Sequence, residues 1–225
     1  MASSDLTVGV IFLSQTIVGF LGNFFLLYHY SFFYFTRYTL RSTDLIINHL
    51  TVANSLVIFF KGIPQTMAAF VSKYYLSDIE CKLVFYVHRV GRGVSMGSTC
   101  LLSVFQAITI SPRDSMWAEL KLQAPKHTGN FSILCWILNI LVNIQILLYM
   151  SGKCNCKNST KITDYGYCSG TVSSSTVQPV HYLLLSSYDV LCLGLMIWAS
   201  GSMVFILLRH KQRVQHIHGT SPSPS

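Results

Sequence analysis

A chain of 225 residues that is 51% hydrophobic and only 11% charged cannot cover a soluble surface of its own size, because soluble domains carry about 25% charged residues. That excludes a cytosolic enzyme, and the 13% aromatic content with a mean hydropathy of +0.47 excludes a disordered chain. A net charge of +8 would suit nucleic acid in a soluble protein, but in so apolar a chain it must first be read as membrane topology.

At about 20 residues per span plus loops, the length leaves room for about five or six membrane crossings. Apolar runs mark five. The first covers residues 6–28 and carries Gly19, Gly22 and Asn23 at i, i+3 and i+4 on one face. The start MASSD has no basic segment and no cleavage site, so this span is expected to be retained. The second covers 45–71 and is interrupted by Lys61 and by Pro64, which should kink it. Asn54 lies midway along it, and an Asn23–Asn54 hydrogen bond is expected to join the first two helices.

The third span, 84–110, holds Arg89 and Arg92 in its first third. Gly91-Arg92-Gly93 with Gly97 superficially resembles a nucleotide loop, but the spacing is wrong and there is no strand–turn–helix setting. Gly93 and Gly97 read instead as GxxxG, a face for close helix packing. The fourth span, 131–152, is free of charge, and the fifth, 182–208, holds only Asp189. Residues 209–225 follow as a basic cytoplasmic tail that continues the fifth span and ends in a disordered Ser-Pro stretch. The whole of 1–225 reads as one membrane domain, and its spans are expected to be helices because lipid offers no partner to an unpaired backbone group.

Orientation follows from the loops. With the N-terminus outside, eight basic residues fall inside: Arg37, Arg41, Arg113, Lys121, Lys126, Arg209, Lys211 and Arg213. Five fall outside, and Lys61, Arg89 and Arg92 lie within spans. This topology places the sequon Asn158-Ser159-Thr160 outside, where it can be glycosylated, and leaves the sequon at Asn130 unused on the inner side. The polar cysteines Cys81, Cys154, Cys156 and Cys168 then share an oxidising compartment. A bridge from Cys81 to the loop before the fifth span would tether that loop over the bundle. Cys168 is the favoured partner because it lies nearer the fifth span, with Cys154 and Cys156 as alternatives.

The intramembrane charges carry the functional expectation. At helical rise, Lys61 lies about 24 Å above Leu45, Arg92 about 21 Å and Arg89 about 25 Å above Gln106, and Asp189 about 28 Å above Leu208. All four should therefore occupy the outer half. Snorkelling to the headgroups is the plain account. The functional account is an outer cavity of net positive charge, suited to an anionic or strongly polarised small ligand. No metal site is expected, since His216 and His218 make no closed ligand shell, and no cofactor is expected. A transporter is disfavoured because no inverted repeat is evident, and an enzyme because no nucleophile–base pair is.

Several stretches together resemble the vomeronasal type 1 pheromone receptors, a branch of the rhodopsin-like G-protein-coupled receptors. These are His49-Leu50-Thr51-Val52-Ala53-Asn54 with Lys61-Gly62-Ile63-Pro64-Gln65-Thr66, then Phe105-Gln106-Ala107-Ile108-Thr109-Ile110-Ser111-Pro112, and Arg209-His210-Lys211-Gln212-Arg213-Val214-Gln215-His216. Cys81 and Cys168 match the pair that, in such receptors, bridges helix three to the second outer loop. Asn54 stands where most rhodopsin-like receptors carry the aspartate of a sodium site. Phe105-Gln106-Ala107 stands where most carry an acid–arginine–aromatic triplet, so the ionic lock made by that arginine cannot form.

The resemblance implies an all-α membrane protein with seven helices, of which five transmembrane helices are predicted here, an incomplete seven-helix receptor bundle. It implies a pheromone-like small molecule as ligand and a heterotrimeric G protein as partner in the cell membrane. Gln106, Arg209, Lys211 and Arg213 then lie on the effector side. Activation in this superfamily moves helix six, so the expected product is a truncated receptor from a degraded gene that does not signal alone. The alternative is a non-signalling interaction protein that associates with full-length receptors, which co-purification with a full-length relative would reveal. Neither reading involves nucleic acid. The topology makes a direct prediction: Asn158→Gln should abolish a glycosidase-sensitive mobility shift of the chain expressed in mammalian cells, whereas Asn130→Gln should leave it unchanged.

Overall fold

The protein is described from a computed structural model over residues 3–36, 41–71, 75–112, 118–152, 162–171 and 177–219. Helices α1 (Ser3–Thr36), α2 (Ser42–Val57), α3 (Ile63–Phe70), α4 (Asp78–Ile110), α5 (Ala118–Asn143), α6 (Ile146–Tyr149) and α7 (Val177–Gly219) make up almost all of it. Five stretches are helical, long and apolar enough to cross a membrane: Leu6–Phe32, Ser42–Phe70, Asp78–Ile110, Glu119–Leu148 and Pro179–Gln215. The chain is thus an all-helical bundle in its spans. Three short strands that the sequence did not announce are added in one loop.

The helices overrun the apolar windows, for identifiable reasons. α4 begins at Asp78 rather than Val84 because Ser77 and Glu80 form a capping box. The Ser77 amide donates to Glu80 Oε2 at 2.8 Å, and the Glu80 amide donates to Ser77 Oγ at 3.4 Å. The fourth span is displaced. α5 starts at Ala118, runs through Pro125 and stops at Asn143, so residues 131–152 are not one helix. Asn139 and Asn143 each donate to the carbonyl four residues back, and the chain then passes through a short turn into α6. α7 continues without a break through Arg209, Lys211 and Arg213 to Gly219. The basic segment is therefore helical and continuous with the fifth span, and residues 220–225 lie outside the described part.

Pro64 acts on the second span as expected, but through a specific device. A π-helical turn, Ile58–Gly62, separates α2 from α3 directly before the proline, which takes a first-turn position where its missing N–H costs nothing. Lys61 sits in that turn.

α4 is the helix on which the others converge, touching α2, α5 and α7. Its buried Val90 and Val94 pack with Ala53 of α2, flanked by Tyr86 and Trp136. Polar side chains cross-link the same region. Ser95 Oγ donates to Asn54 Oδ1 at 2.6 Å, Trp136 Nε1 to His49 Nδ1 at 3.2 Å, and Tyr188 Oη to the Gly93 carbonyl at 3.0 Å. Such interhelical bonds contribute about 0.6–2 kcal/mol each in a bilayer. The expected Asn23–Asn54 bond is not among them. Asn23 Nδ2 donates to the Gly19 carbonyl of its own helix at 2.7 Å, while Asn54 is taken by Ser95. The turn-by-turn geometry of a helix always offers the carbonyl four residues back, and here it outcompetes the neighbouring helix for Asn23.

Gly93 and Gly97 lie where neighbouring helices approach the α4 backbone. A Cβ at Gly93 would strike the Asn139 side chain of α5, and one at Gly97 would strike Tyr188 Oη of α7 and Cys135 Sγ of α5. α1, by contrast, keeps most of its apolar surface exposed and touches α2 and α3. The packing predicts that Gly97→Val lowers thermal stability in detergent by about 1–3 kcal/mol, the usual cost of overpacking. Gly194→Ala, where a Cβ meets open space, should leave the melting temperature unchanged.

Candidate functional site

One end of the bundle is closed by the loop between α6 and α7. Strands β1 (Met150–Ser151), β2 (Ile162–Asp164) and β3 (Ser169–Thr171) form an antiparallel sheet in the order β1-β3-β2. Gly166, at φ 86°, makes the turn between β2 and β3, a left-handed backbone that favours glycine. Cys168, fully buried just before β3, is disulfide-bonded to Cys81 on the first turn of α4, with Cα atoms 5.8 Å apart. Further contacts seat the loop. Leu76 N donates to the Tyr167 carbonyl at 3.2 Å, Gly152 N donates to the Asp78 carboxylate, and Phe85 packs against the rings of Tyr165 and Tyr167 with centroids 5.1 and 6.0 Å away. Asn158, Cys154 and Cys156 lie outside the described residues.

Beneath this loop is an open cavity of about 710 Å³. Lys61 from the π-helical turn and Arg89 and Arg92 from α4 all line it, together with His88, His181, Tyr165 and Tyr167. Three cationic groups from two separate stretches of sequence therefore face one space. The fourth intramembrane charge is placed differently. Asp189 of α7 is not part of the lining but forms an ion pair with Arg92, Oδ2 to Nη2 at 2.8 Å. Helical pitch explains the meeting: Arg89 and Arg92 share a face of α4, three residues apart, and Arg92 is the one level with Asp189.

The sequence reading missed His88 and His181 as wall residues. His88 directly precedes Arg89 within the third span, whereas His181 lies one residue before the fifth span as read from hydropathy and outside the argument from intramembrane charges. His181 Nε2 lies 3.0 Å from the Val142 carbonyl, which ties α7 to the end of α5. Among the described residues, no group of three or more His, Cys, Asp or Glu is arranged to hold a metal ion.

The opposite end of the bundle has a second groove, of about 870 Å³, between the end of α4 and α7. Arg209 and Arg213 line it with Ile110, Trp198 and Phe205. Gln106 and Lys211 are exposed at the same end and stand outside the lining. Gln106, Arg209, Lys211 and Arg213 are thus at one end of the molecule, but only the two arginines share a groove.

The described residues thus form a helical bundle, apolar enough in five stretches to cross a membrane, with a disulfide-tethered loop over a charged cavity. Residues 6–225 match the vomeronasal organ pheromone receptor family. The chain is 68% identical over 224 residues to Vomeronasal type-1 receptor 3 of Homo sapiens, covering 99% of this chain and 72% of that protein. It is 59% identical over 224 residues to Vomeronasal type-1 receptor 4 of Homo sapiens, covering 100% of this chain and 74% of that protein. It is also 35% identical over 213 residues to Vomeronasal type-1 receptor 45 of Mus musculus, covering 95% of this chain and 67% of that protein. The chain belongs to the vomeronasal type 1 receptor family, a family of receptors and not of enzymes, and is a multi-pass membrane protein.

Tethering predicts that Cys81→Ser and Cys168→Ser each lower thermal stability by about 2–4 kcal/mol. The double variant should lose no more than either single one, because both remove the same bond.

Proposed function

We propose that this chain is a pheromone receptor whose cavity beneath the α6–α7 loop binds a small anionic ligand. The carrying observation is the convergence of Lys61, Arg89 and Arg92 on one space roofed by Tyr165 and Tyr167. Positive groups in a partly dry cavity favour an anion strongly, since hydrogen bonds to charged groups contribute about 1.5–3 kcal/mol each. The aromatic roof and the aliphatic walls suit an apolar body. Such a ligand is an amphiphile: one oxyanion on a hydrophobic frame.

In this reading the N-terminus and the cavity end face outward, the C-terminus faces the cytoplasm, and Asn158 carries a glycan. The basic continuation of α7 supports that orientation, because cytoplasmic segments carry the excess of Lys and Arg. Gln106, Arg209, Lys211 and Arg213 then form the face offered to a G protein. Among the described residues, five stretches can cross a membrane, against the seven spans that the resemblance implies. Expressed by itself, the chain is expected to bind ligand without signalling.

The test uses residues 1–225 in nanodiscs of uncharged lipid, with 4-(trifluoromethyl)benzenesulfonate as the anionic probe and the corresponding neutral sulfonamide as control, read by fluorine NMR. The sulfonate should bind more tightly than the sulfonamide. Arg89→Gln and Lys61→Gln should each weaken it by about 10-fold or more, the loss of one charge-assisted contact. Equal binding of the two probes would overturn the anion reading. A ligand-dependent rise in second messenger in cells expressing only these residues would overturn the non-signalling part.

A further inference from the structure

The ion pair between Arg92 and Asp189 has a geometry that differs from a structural clamp. A permanent tie between two helices is expected to be bidentate and buried. This one is a single contact, Arg92 Nη2 to Asp189 Oδ2 at 2.8 Å, and both side chains stay accessible, at 55% and 34%. Neither group is enclosed by protein, so one partner can be replaced without opening a packed core. Arg92 also faces the cavity that Asp189 does not line, so the guanidinium stands between two spaces. On one side is a carboxylate of the protein, and on the other is the site where a ligand anion would lie.

We infer that Asp189 is a built-in competitor for Arg92: its carboxylate holds and neutralises the guanidinium until the oxyanion of a ligand takes Arg92 from it. The inference rests on the anionic-ligand reading of the cavity and adds a specificity-determining residue outside its wall. Lys61 and Arg89 supply attraction that Asp189 leaves untouched, while Arg92 supplies attraction that must be won. Weak or poorly placed anions fail to win it, so Asp189 raises the threshold for binding. The exchange also frees α7 from one of its ties to α4, a helix it meets as well through Tyr188 and Gly93.

The experiment is a mutant cycle on the same nanodisc preparation, with 4-(trifluoromethyl)benzenesulfonate as probe and the sulfonamide as control. Asp189→Asn should tighten sulfonate binding by about threefold or more, the removal of one competing charged contact. Sulfonamide binding should not change. Asp189→Ser serves as a second variant should the amide fail to fold, and it should tighten sulfonate binding likewise. Asp189→Glu, which keeps the charge, should remain near the parent. In an Arg92→Gln background the Asp189→Asn step should have no effect, because there is no guanidinium left to compete for. Unchanged or weaker sulfonate binding in Asp189→Asn and Asp189→Ser overturns the inference, and so does equal tightening with and without Arg92, which would mark a general field effect. Absence of any sulfonate preference in every variant sinks the anionic cavity itself, an outcome distinct from a preference that Asp189 does not alter.

Discussion

The close approach of α4 to its neighbours at Gly93 and Gly97 is the constraint on which the rest of the bundle depends. In a bilayer there is no hydrophobic drive between helices, so association relies on van der Waals contact and a few interhelical hydrogen bonds. Two missing side chains let the Asn139 side chain, Tyr188 Oη and Cys135 Sγ lie against the α4 backbone. Tyr188 can reach the Gly93 carbonyl only because of that approach. The same approach sets α7 beside α4, which is what brings Asp189 to Arg92 one residue further along.

The two ends of the bundle then acquire different characters from one axis. Towards the disulfide end, the π-helical turn before Pro64 carries Lys61, and α4 presents Arg89 and Arg92 in the same space. The disulfide and the aromatic contacts of Phe85 hold a small sheet above them. Towards the other end, α4 terminates at Ile110 while α7 continues as a basic helix, leaving a groove with arginines on its rim. Charge is scarce in this chain, and its placement at cavity and groove is the main chemical distinction between the two ends.

Membership of a receptor family fits this division. In the proposed reading, the cavity and the basic groove are separate but joined by elements that can shift. α4 and α7 both run from one end to the other, and their contacts are of two kinds. The glycine contacts with Tyr188 and Cys135 are close-packed, whereas the Arg92–Asp189 pair is single-point and accessible. The second kind is the one that the proposed anionic ligand would alter.

The membrane class and the five spans were legible in the sequence alone, because hydropathy depends only on local composition. The intramembrane charges were legible for the same reason, since each is conspicuous against an apolar run. Helix limits were not, because a capping box at Ser77 and tolerance of Pro125 lengthen helices beyond the apolar window. Nor was the fate of each polar group. Asn23 turned to its own helix and Asn54 to Ser95, a choice fixed by which donor each helix rotation presents. The sequence placed Lys61, Arg89, Arg92 and Asp189 at similar depth. Only the tertiary structure decided that three of them share a cavity while the fourth neutralises one of the three. Depth follows from counting residues along a helix, whereas facing depends on how that helix is turned against its neighbours.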